Sequence, residues 1–496
     1  MRRRLTTEFP SALALVLIAP SQYGAAFRVE ERKLWSVHDS PCSDSVVWTD
    51  DGAHLAYAAT RGLKQLVVVD GKEGAVYDKA ERIALSCDGA RVAYVAHKGR
   101  KQIVVVDGKE GPEYDNIGEA TPFFSIRADH VVYVAYKGSK QLVVVDGQPG
   151  PECDGITGTP TFSADGVRLA YVARNDSKEF VVLNGASGPE YEGIVDGSLR
   201  FSPDGAHVAY VARKDSLKFV IVDGERGPAY DEIMITPVFS SNGTRMAYAA
   251  GKGDAQVVVI DGKEGPEYDL IRSIEIAADG KCVAYAVWKG SRELVVIDGQ
   301  PGPEYDGIVV APVFSPDGNH LAYAGRIRHK AFVVVDGTRG PEFEGIGVGS
   351  LCFSRDGKRL AYVAIEGLKS SVVVDGKPGA WYEGILLGRL WFSQDGRRVG
   401  YIAGKGYKNI VVIDGYESPE YLHTRSRIIF SADGKHVAYV AVEGALEKFV
   451  VVDGQPGPMY DTIVGEPVFD HDNTVEYTAI RENTLLRVKH VPLSTR

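Results

Sequence analysis

The sequence predicts an all-β protein made of twelve tandem copies of one four-stranded unit. Three observations support this fold class. A tyrosine recurs at a nearly fixed interval, each interval holds four short apolar runs separated by turn residues, and no segment shows the 3.6-residue period of an amphipathic helix. The 496 residues include 56 glycines and are 44% hydrophobic and 25% charged. This composition is typical of a folded chain with frequent turns rather than of a disordered one.

The period of the repeat is set by tyrosines that usually follow an alanine. Successive members lie 37 to 39 residues apart. The twelve positions are Tyr57, Tyr94, Tyr133, Tyr171, Tyr210, Tyr248, Tyr285, Tyr323, Tyr362, Tyr401, Tyr439 and Tyr477. A period in this range is typical of solenoids, propellers and other repeat arrays.

Residues 309–346 represent the unit well. Their first apolar run ends in FSPDG at 314–318, where proline presets φ and glycine accepts the positive φ of a hairpin turn. The second run alternates around Tyr323, the third is a continuous aliphatic run that ends in Asp-Gly, and the fourth is weaker and centred on Phe343. Four antiparallel strands in about 38 residues predict a β-propeller blade.

The number of units bears on the arrangement of the blades. Because rings of four to eight blades are usual, twelve units predict two six-bladed rings, residues 27–271 and 272–496. The alternative is one twelve-bladed ring. The last unit lacks a fourth strand, and a spare apolar segment, Lys33–Asp39, precedes the first unit. We therefore expect this N-terminal segment to pair with the last blade and close the ring.

The first turn of the unit also carries a family resemblance. The string FSPDG-x-x-x-AY is intact at 201–210 and 314–323, and close variants begin at 162, 239, 353, 392 and 430. It resembles the repeats of TolB-type, WD-like propellers over nearly the whole chain. The resemblance implies a propeller that mediates protein contacts in the bacterial envelope. TolB-family proteins also carry an α/β domain before the propeller, and no segment here resembles it.

The N-terminus has the pattern of a secretory signal. Three arginines follow Met1, an apolar run occupies residues 12–19, and small residues stand at 24–26. Residues 1–26 are therefore predicted to be a signal peptide, and the protein to be periplasmic or secreted, with a cytoplasmic location as the alternative. No later apolar run approaches the roughly 18 residues of a spanning helix, so no membrane span is expected.

The sequence shows no pattern typical of a catalytic or metal site. It contains no CxxC, HExxH, GxSxG or P-loop string, and its five cysteines occupy unrelated repeat positions. Four histidines, His54, His207, His320 and His436, share one slot after the first turn, which indicates hairpin residues. The net charge of -10 argues against nucleic-acid binding. We expect no enzymatic activity and no cofactor.

A basic turn lies between the second and third strands of nearly every unit. Because successive strands are antiparallel, these turns should share one side and ring it with positive charge, while the other turns carry most of the acid. The candidate binding residues are Lys64, Lys101, Lys140, Lys178, Lys218, Lys252, Arg292, Lys330, Lys369, Lys408 and Lys448. The expected function is a non-catalytic scaffold that binds a protein partner through its loop faces or a central channel. The alternatives are a propeller enzyme and a protein that binds a polyanion or small ligand at one side of the ring.

Overall fold

The computed structural model describes residues 14–17, 27–36, 45–49, 54–424, 427–444, 447–482 and 484–493. Within these ranges every regular element is a β-strand, and the strands form twelve antiparallel sheets. The sheets follow one another along the chain, one for each repeat. The prediction of an all-β chain built from four-stranded antiparallel units is therefore confirmed.

The strands are numbered in chain order, and sheets 1 to 12 are numbered as the repeats. Two strands precede the first repeat: β1 (Ala14–Leu17) and β2 (Phe27–Ser36). Sheet 1 contains β3 (Val47–Trp48), β4 (Leu55–Arg61), β5 (Lys64–Val69) and β6 (Lys72–Tyr77). Sheet 2 contains β7 (Lys79–Leu85), β8 (Val92–Lys98), β9 (Lys101–Val106) and β10 (Lys109–Glu110). Sheet 3 contains β11 (Asn116–Ile117), β12 (Phe123–Phe124), β13 (Val131–Lys137), β14 (Lys140–Val145) and β15 (Gln148–Pro149). Sheet 4 contains β16 (Gly155–Phe162), β17 (Leu169–Asn175), β18 (Lys178–Leu183) and β19 (Ala186–Ser187).

The next four sheets repeat this order. Sheet 5 contains β20 (Gly193–Ile194), β21 (Arg200–Phe201), β22 (Val208–Lys214), β23 (Leu217–Val222) and β24 (Glu225–Tyr230). Sheet 6 contains β25 (Glu232–Phe239), β26 (Met246–Lys252), β27 (Ala255–Ile260) and β28 (Lys263–Tyr268). Sheet 7 contains β29 (Leu270–Ile276), β30 (Val283–Lys289), β31 (Arg292–Ile297) and β32 (Gln300–Tyr305). Sheet 8 contains β33 (Gly307–Phe314), β34 (Leu321–Ile327), β35 (Lys330–Val335) and β36 (Thr338–Phe343).

The last four sheets complete the chain. Sheet 9 contains β37 (Gly345–Ile346), β38 (Cys352–Phe353), β39 (Leu360–Glu366), β40 (Lys369–Val374) and β41 (Lys377–Tyr382). Sheet 10 contains β42 (Gly384–Phe392), β43 (Val399–Lys405), β44 (Lys408–Ile413) and β45 (Tyr416–Glu417). Sheet 11 contains β46 (His423–Thr424), β47 (Ile429–Phe430), β48 (Val437–Val442), β49 (Lys448–Val452) and β50 (Gln455–Pro456). Sheet 12 contains β51 (Thr462–Phe469), β52 (Val475–Arg481) and β53 (Thr484–Pro492).

The FSPDG string is a hydrogen-bonded turn between the first and second strands. Buried Ser315 donates its hydroxyl to the Asp317 carboxylate at 2.5 Å and accepts the backbone N–H of His320 at 2.9 Å. The Ser315 bond holds the pKa of Asp317 down to about 2. Gly318 follows with φ +73°, the left-handed value that closes the turn. The serine, the aspartate and the glycine of the string therefore each have a structural role in the turn.

The turn between the third and fourth strands carries the Asp-Gly pair. Asp336 and Gly337 both have positive φ, +47° and +78°, as a two-residue hairpin of this kind requires. The Asp336 carboxylate also reaches back to the second strand, where it accepts the N–H of Leu321 at 2.9 Å and contacts His320 Nδ1 at 2.7 Å. The turn interpretation of the repeated Asp-Gly pairs and of the histidine slot is confirmed.

The N-terminal segment supplies the fourth strand of sheet 12. β2 pairs antiparallel with β53, and β1 pairs with the outer edge of β2. The predicted pairing is therefore confirmed for residues 33–36, but the strand begins earlier, at Phe27. Residues 37–39 of the predicted segment lie outside the described residues. The strand extends to Phe27 because β53 is itself long, and its last residue, Pro492, pairs with Phe27.

Side-chain contacts show that β2 occupies the place of an ordinary fourth strand. Glu31 is buried, accepts a hydrogen bond from the Tyr460 hydroxyl at 2.6 Å, and accepts another from the Arg481 guanidinium at 3.0 Å. The fourth strand of sheet 6 makes the same two kinds of contact through Glu264, which binds the Tyr230 hydroxyl and Lys252. The N-terminal strand thus repeats the polar contacts of the repeat as well as its backbone pairing.

Hydrophobic clusters lie between the sheets. One cluster joins Ala247 and Val258 of sheet 6 to Ile271 and Val283 of sheet 7. Ten equivalent clusters join the remaining pairs of sheets that are consecutive along the chain. A further cluster joins sheet 12 to sheet 1, where Val464 and Leu485 contact Leu55 and Leu66. The repeat tyrosines are all buried in these interfaces.

Candidate functional site

A large cavity is built from the first strands of several sheets. It has a volume of about 1070 Å³ and takes residues from sheets 8 to 12 and from sheet 1. Equivalent positions of successive sheets form its wall, so that Phe353, Phe392 and Phe430 recur at the end of the first strand. We call this space the inner cavity. Its size lies at the upper end of the range for ligand pockets.

The surface of the inner cavity is mainly aromatic and aliphatic. Trp391 on β42 contributes one indole. Trp48 of sheet 1, which is 45% exposed, contributes a second. Three charged residues line the inner cavity: Arg355 from the first turn of sheet 9, Arg427 just before β47, and Glu466 from β51. Burial raises the pKa of the Cys352 thiol, so this group stays protonated and apolar at neutral pH. Such a surface suits apolar side chains flanked by a few polar groups.

The predicted basic residues all lie in or beside the turn between the second and third strands. We call this side of the sheets the second-turn edge. The sequence predicts a ring of positive charge on this edge and most of the acid on the other side, but acidic side chains also lie on this edge. Lys101 pairs with Asp115 at 2.6 Å, and Lys140 pairs with Asp154 at 2.7 Å. Further pairs or hydrogen bonds involve Lys64, Lys218, Lys252, Arg292, Lys330 and Lys448.

The acids lie on the second-turn edge because they cap backbone N–H groups there. In most sheets the carboxylate that follows the fourth-strand region accepts a backbone N–H from the second turn of the next sheet, as Asp115 does from Gly138 at 2.7 Å. Sheet 10 is an exception, because Leu422 stands in this position. The bond from Gly138, followed by the pair with Lys101, lowers the pKa of Asp115. The acid is therefore required where the lysines are. Lys178, Lys369 and Lys408 have no ion-pair partner among the described residues.

The opposite side of the sheets carries a feature that the sequence interpretation missed. The slot occupied by His320 in sheet 8 holds arginine in five other sheets: Arg91, Arg168, Arg245, Arg359 and Arg398. Arg359 pairs with Asp375 at 2.9 Å and also donates to the carbonyl of Arg397 in the next sheet at 2.6 Å. The same slot therefore bridges neighbouring sheets. Aligning arginine with histidine in the repeat would have revealed it.

Nothing in the described residues forms a metal site. No group of three or more histidine, cysteine, aspartate or glutamate side chains converges in this part of the chain. Among the same residues there is no helix with the length and hydrophobicity needed to span a bilayer. The four described cysteines, Cys87, Cys153, Cys282 and Cys352, are all free thiols.

Comparison with known proteins gives structural similarity without a family. No family model matches the sequence, and a search of curated proteins finds no relative. A solved structure described as a eukaryotic initiation factor is similar at 13% identity and a TM-score of 0.35, covering 72% of this chain and 97% of its own. The propeller domain of the Trilobed protease from Pyrococcus furiosus is similar at 11% identity and a TM-score of 0.25, covering 52% and 95%. TolB from Acinetobacter baumannii is similar at 14% identity and a TM-score of 0.23, covering 52% and 79%. At these values the TolB-type repeat remains a resemblance, and no function is transferred.

Proposed function

We propose that this protein is a non-catalytic β-propeller scaffold that binds an extended segment of a partner protein in the inner cavity. The observation that carries this proposal is the cavity itself. Its volume is about 1070 Å³, and its surface is mainly aromatic and aliphatic with a few charged groups. Apolar anchors in such a space supply most of the binding free energy in protein interfaces. The resemblance to TolB-type repeats supports the same class of function.

We further propose that the twelve sheets form one closed ring. Two six-bladed rings would require sheet 6 to pack on sheet 1 and sheet 12 to pack on sheet 7. The described clusters instead join sheet 6 to sheet 7 and sheet 12 to sheet 1. Trp48 of sheet 1 also lines the same cavity as residues of sheets 8 to 12. These contacts favour the single twelve-bladed ring.

The test compares two tryptophan variants as baits for partner capture from the source cells. Trp391 lines the inner cavity, whereas Trp288 is 42% exposed on β30 and does not line it. We expect Trp391→Ala to weaken binding of a stoichiometric partner by about 2 kcal/mol, roughly 30-fold. Trp288→Ala should bind like the unmodified protein. Equal retention by both variants would contradict the cavity site, and turnover of a substrate by the purified chain would contradict the non-catalytic assignment.

A periplasmic or secreted location also remains a proposal, which rests on the signal-like residues 1–26. N-terminal sequencing of the protein purified from its source tests it. Removal of the leader at a site close to residue 26 is the expected result. An N-terminus at Met1 on the mature protein would contradict it.

The binding of a polyanion is the weaker alternative. Most of the predicted basic residues on the second-turn edge have carboxylate partners there, as Lys101 and Lys140 do. Neighbouring opposite charges cancel much of the long-range potential that would attract a polyanion. Among the described residues, no observation favours polyanion binding over the binding of a partner segment in the inner cavity.

A further inference from the structure

A second kind of cavity recurs between neighbouring sheets, on the side opposite the second-turn edge. We call these spaces the inter-sheet crevices. Those beside His130, His207 and His320 have volumes of about 320, 370 and 360 Å³. Each is bounded by the third strand and the fourth-strand region of one sheet. The next sheet contributes the phenylalanine at the end of its first strand, its second strand and the turn after its third strand. A fourth crevice, of about 630 Å³, lies between sheets 10 and 11 and has Arg398 in the histidine slot.

The three histidine-lined crevices have closely similar walls. In the crevice between sheets 5 and 6, Val220 and Val222 form one wall, and Met246 and Tyr248 form the other. A glycine of the fourth-strand region also lines each crevice: Gly150 directly after β15, Gly227 within β24 and Gly340 within β36. Aliphatic, aromatic and thioether groups thus surround a space with a histidine at its mouth.

The equivalent place between sheets 11 and 12 is occupied by the chain itself. The Phe27 ring contacts the His436 ring edge to face, with centroids 6.1 Å apart, and Phe27 is only 2% exposed. Gly457, which corresponds to Gly227, faces the ring of His490 so closely that an added Cβ would lie 2.6 Å from it. Phe27 belongs to β2 and His490 belongs to β53. Both strands continue past the position at which, in the other sheets, a turn joins the third strand to the fourth.

The exposure of the histidines reflects this difference. The side chain of His436 is 20% exposed, whereas those of His130, His207 and His320 are 39%, 46% and 42% exposed. The first-strand phenylalanine of the next sheet lines each open crevice, and Phe162 stacks on His130 with ring centroids 6.2 Å apart. None of the three has a counterpart of Phe27 among its lining residues. We propose that the crevices beside His130, His207 and His320 dock aromatic side chains from an extended segment of a partner protein, as the crevice beside His436 docks Phe27.

This proposal is independent of the inner cavity. The crevices lie between sheets and share only Phe353 with the wall of the inner cavity. An aromatic side chain brings a large apolar area at a small loss of conformational freedom. Three crevices spaced around the sheets would also let one partner segment bind at more than one point, which raises its overall affinity.

The crevice between sheets 5 and 6 can be observed through methionine methyl groups. The chain has four methionines, and Met246 lines this crevice, whereas Met234 and Met459 are 46% and 52% exposed and do not line it. The experiment titrates N-acetyl-L-phenylalanine amide into the full chain labelled with ¹³C at the methionine methyls. A saturable upfield shift of Met246 alone is expected, with a Kd on the order of 1 mM for so small a probe. No saturable shift, or equal shifts of all three signals, would overturn the proposal.

A variant and two controls complete the test. Val222→Phe places a phenyl ring against the crevice wall and should abolish the probe-induced shift of Met246 while leaving Met234 and Met459 unmoved. A shift that persists in this variant would place the probe elsewhere. An equal response to N-acetyl-L-leucine amide would overturn the aromatic preference. A Met246 shift that grows with protein concentration alone would assign the crevice to a second copy of this chain instead. If Val222→Phe does not fold, the comparison of the three methyl groups and the leucine control still decide the question.

Discussion

At the scale of single residues, the ends of the chain carry unusual buried groups. His490 is 2% exposed, and its Nε2 lies 3.0 Å from the Tyr477 hydroxyl. Burial lowers the pKa of His490 to about 4. In the unfolded chain the same imidazole has a pKa near 6.5. The protonated form is therefore disfavoured only in the folded protein.

This difference predicts a loss of stability in acid. The contribution of neutral His490 is present above about pH 6.5 and is lost as the pH falls from there towards 4, because the unfolded chain binds the proton first. Between pH 7 and pH 5 the loss is about 2 kcal/mol. The measurement compares the melting temperature at both pH values with that of His490→Gln, which should lose less. An identical pH dependence in the two proteins would contradict the assignment.

A second residue prediction concerns the only first turn of sheets 2 to 11 without glycine. In sheet 3 this place is taken by Ala128, which has φ +60°, whereas Gly318 has φ +73° at the equivalent position. An alanine in the left-handed region is strained by about 1–2 kcal/mol. We expect Ala128→Gly to raise the free energy of unfolding by about 1 kcal/mol, measured by chemical denaturation. Gly318→Ala is the opposite control and should destabilise the protein. A destabilised Ala128→Gly variant would contradict this account of the turn.

At the scale of elements, β2 acts as the missing fourth strand through Glu31. The same contact exists in sheet 1, where Glu73 pairs with Arg61, but there both side chains are about half exposed. In sheet 12 the Glu31 side chain is 5% exposed. Burial decides the energetic weight of such a pair, because removing one partner leaves the other without compensation.

We therefore expect two equivalent substitutions to differ. Glu31→Gln should destabilise the protein by about 1–2 kcal/mol, since buried Glu31 loses its charge-assisted bonds with Tyr460 and with Arg481, which is 42% exposed. Glu73→Gln should change stability by less than about 0.5 kcal/mol. Chemical denaturation of both variants, followed by tryptophan fluorescence, measures the difference. Equal effects would show that β2 does not hold Glu31 in the buried network.

The elements show what the sequence could predict. The tyrosine period, the FSPDG turn and the Asp-Gly hairpin act within one repeat, so they could be recognised from local spacing. Contacts between repeats were harder. The capping of Gly138 by Asp115 joins two sheets, and the sequence alone placed acids and lysines on opposite sides. The start of β2 at Phe27 was also missed, because it depends on the length of β53 rather than on an apolar pattern.

The candidate site was predicted least well. The basic residues of the second-turn edge recur regularly and are easy to find in the sequence, but most of them pair with carboxylates. A central channel was one expected binding place, but the residues that line the inner cavity were not predicted. They lie where the repeat varies: Cys352, Trp391 and Ile429 occupy the same position on successive first strands. Variation at one repeat position indicates a binding site only when the folded structure brings the varying residues of successive repeats together.

At the scale of the whole molecule, the central proposal is that the twelve sheets form one closed ring. It rests on a hydrophobic cluster between every successive pair of sheets and on the cluster that joins sheet 12 to sheet 1. The proposed binding of a partner depends on this arrangement, because sheets 8 to 12 and sheet 1 share the cavity. Single-particle electron microscopy of the purified chain tests the claim most directly. The account predicts one annulus with twelve radial sheets around one opening, and two smaller rings of six sheets each would contradict it.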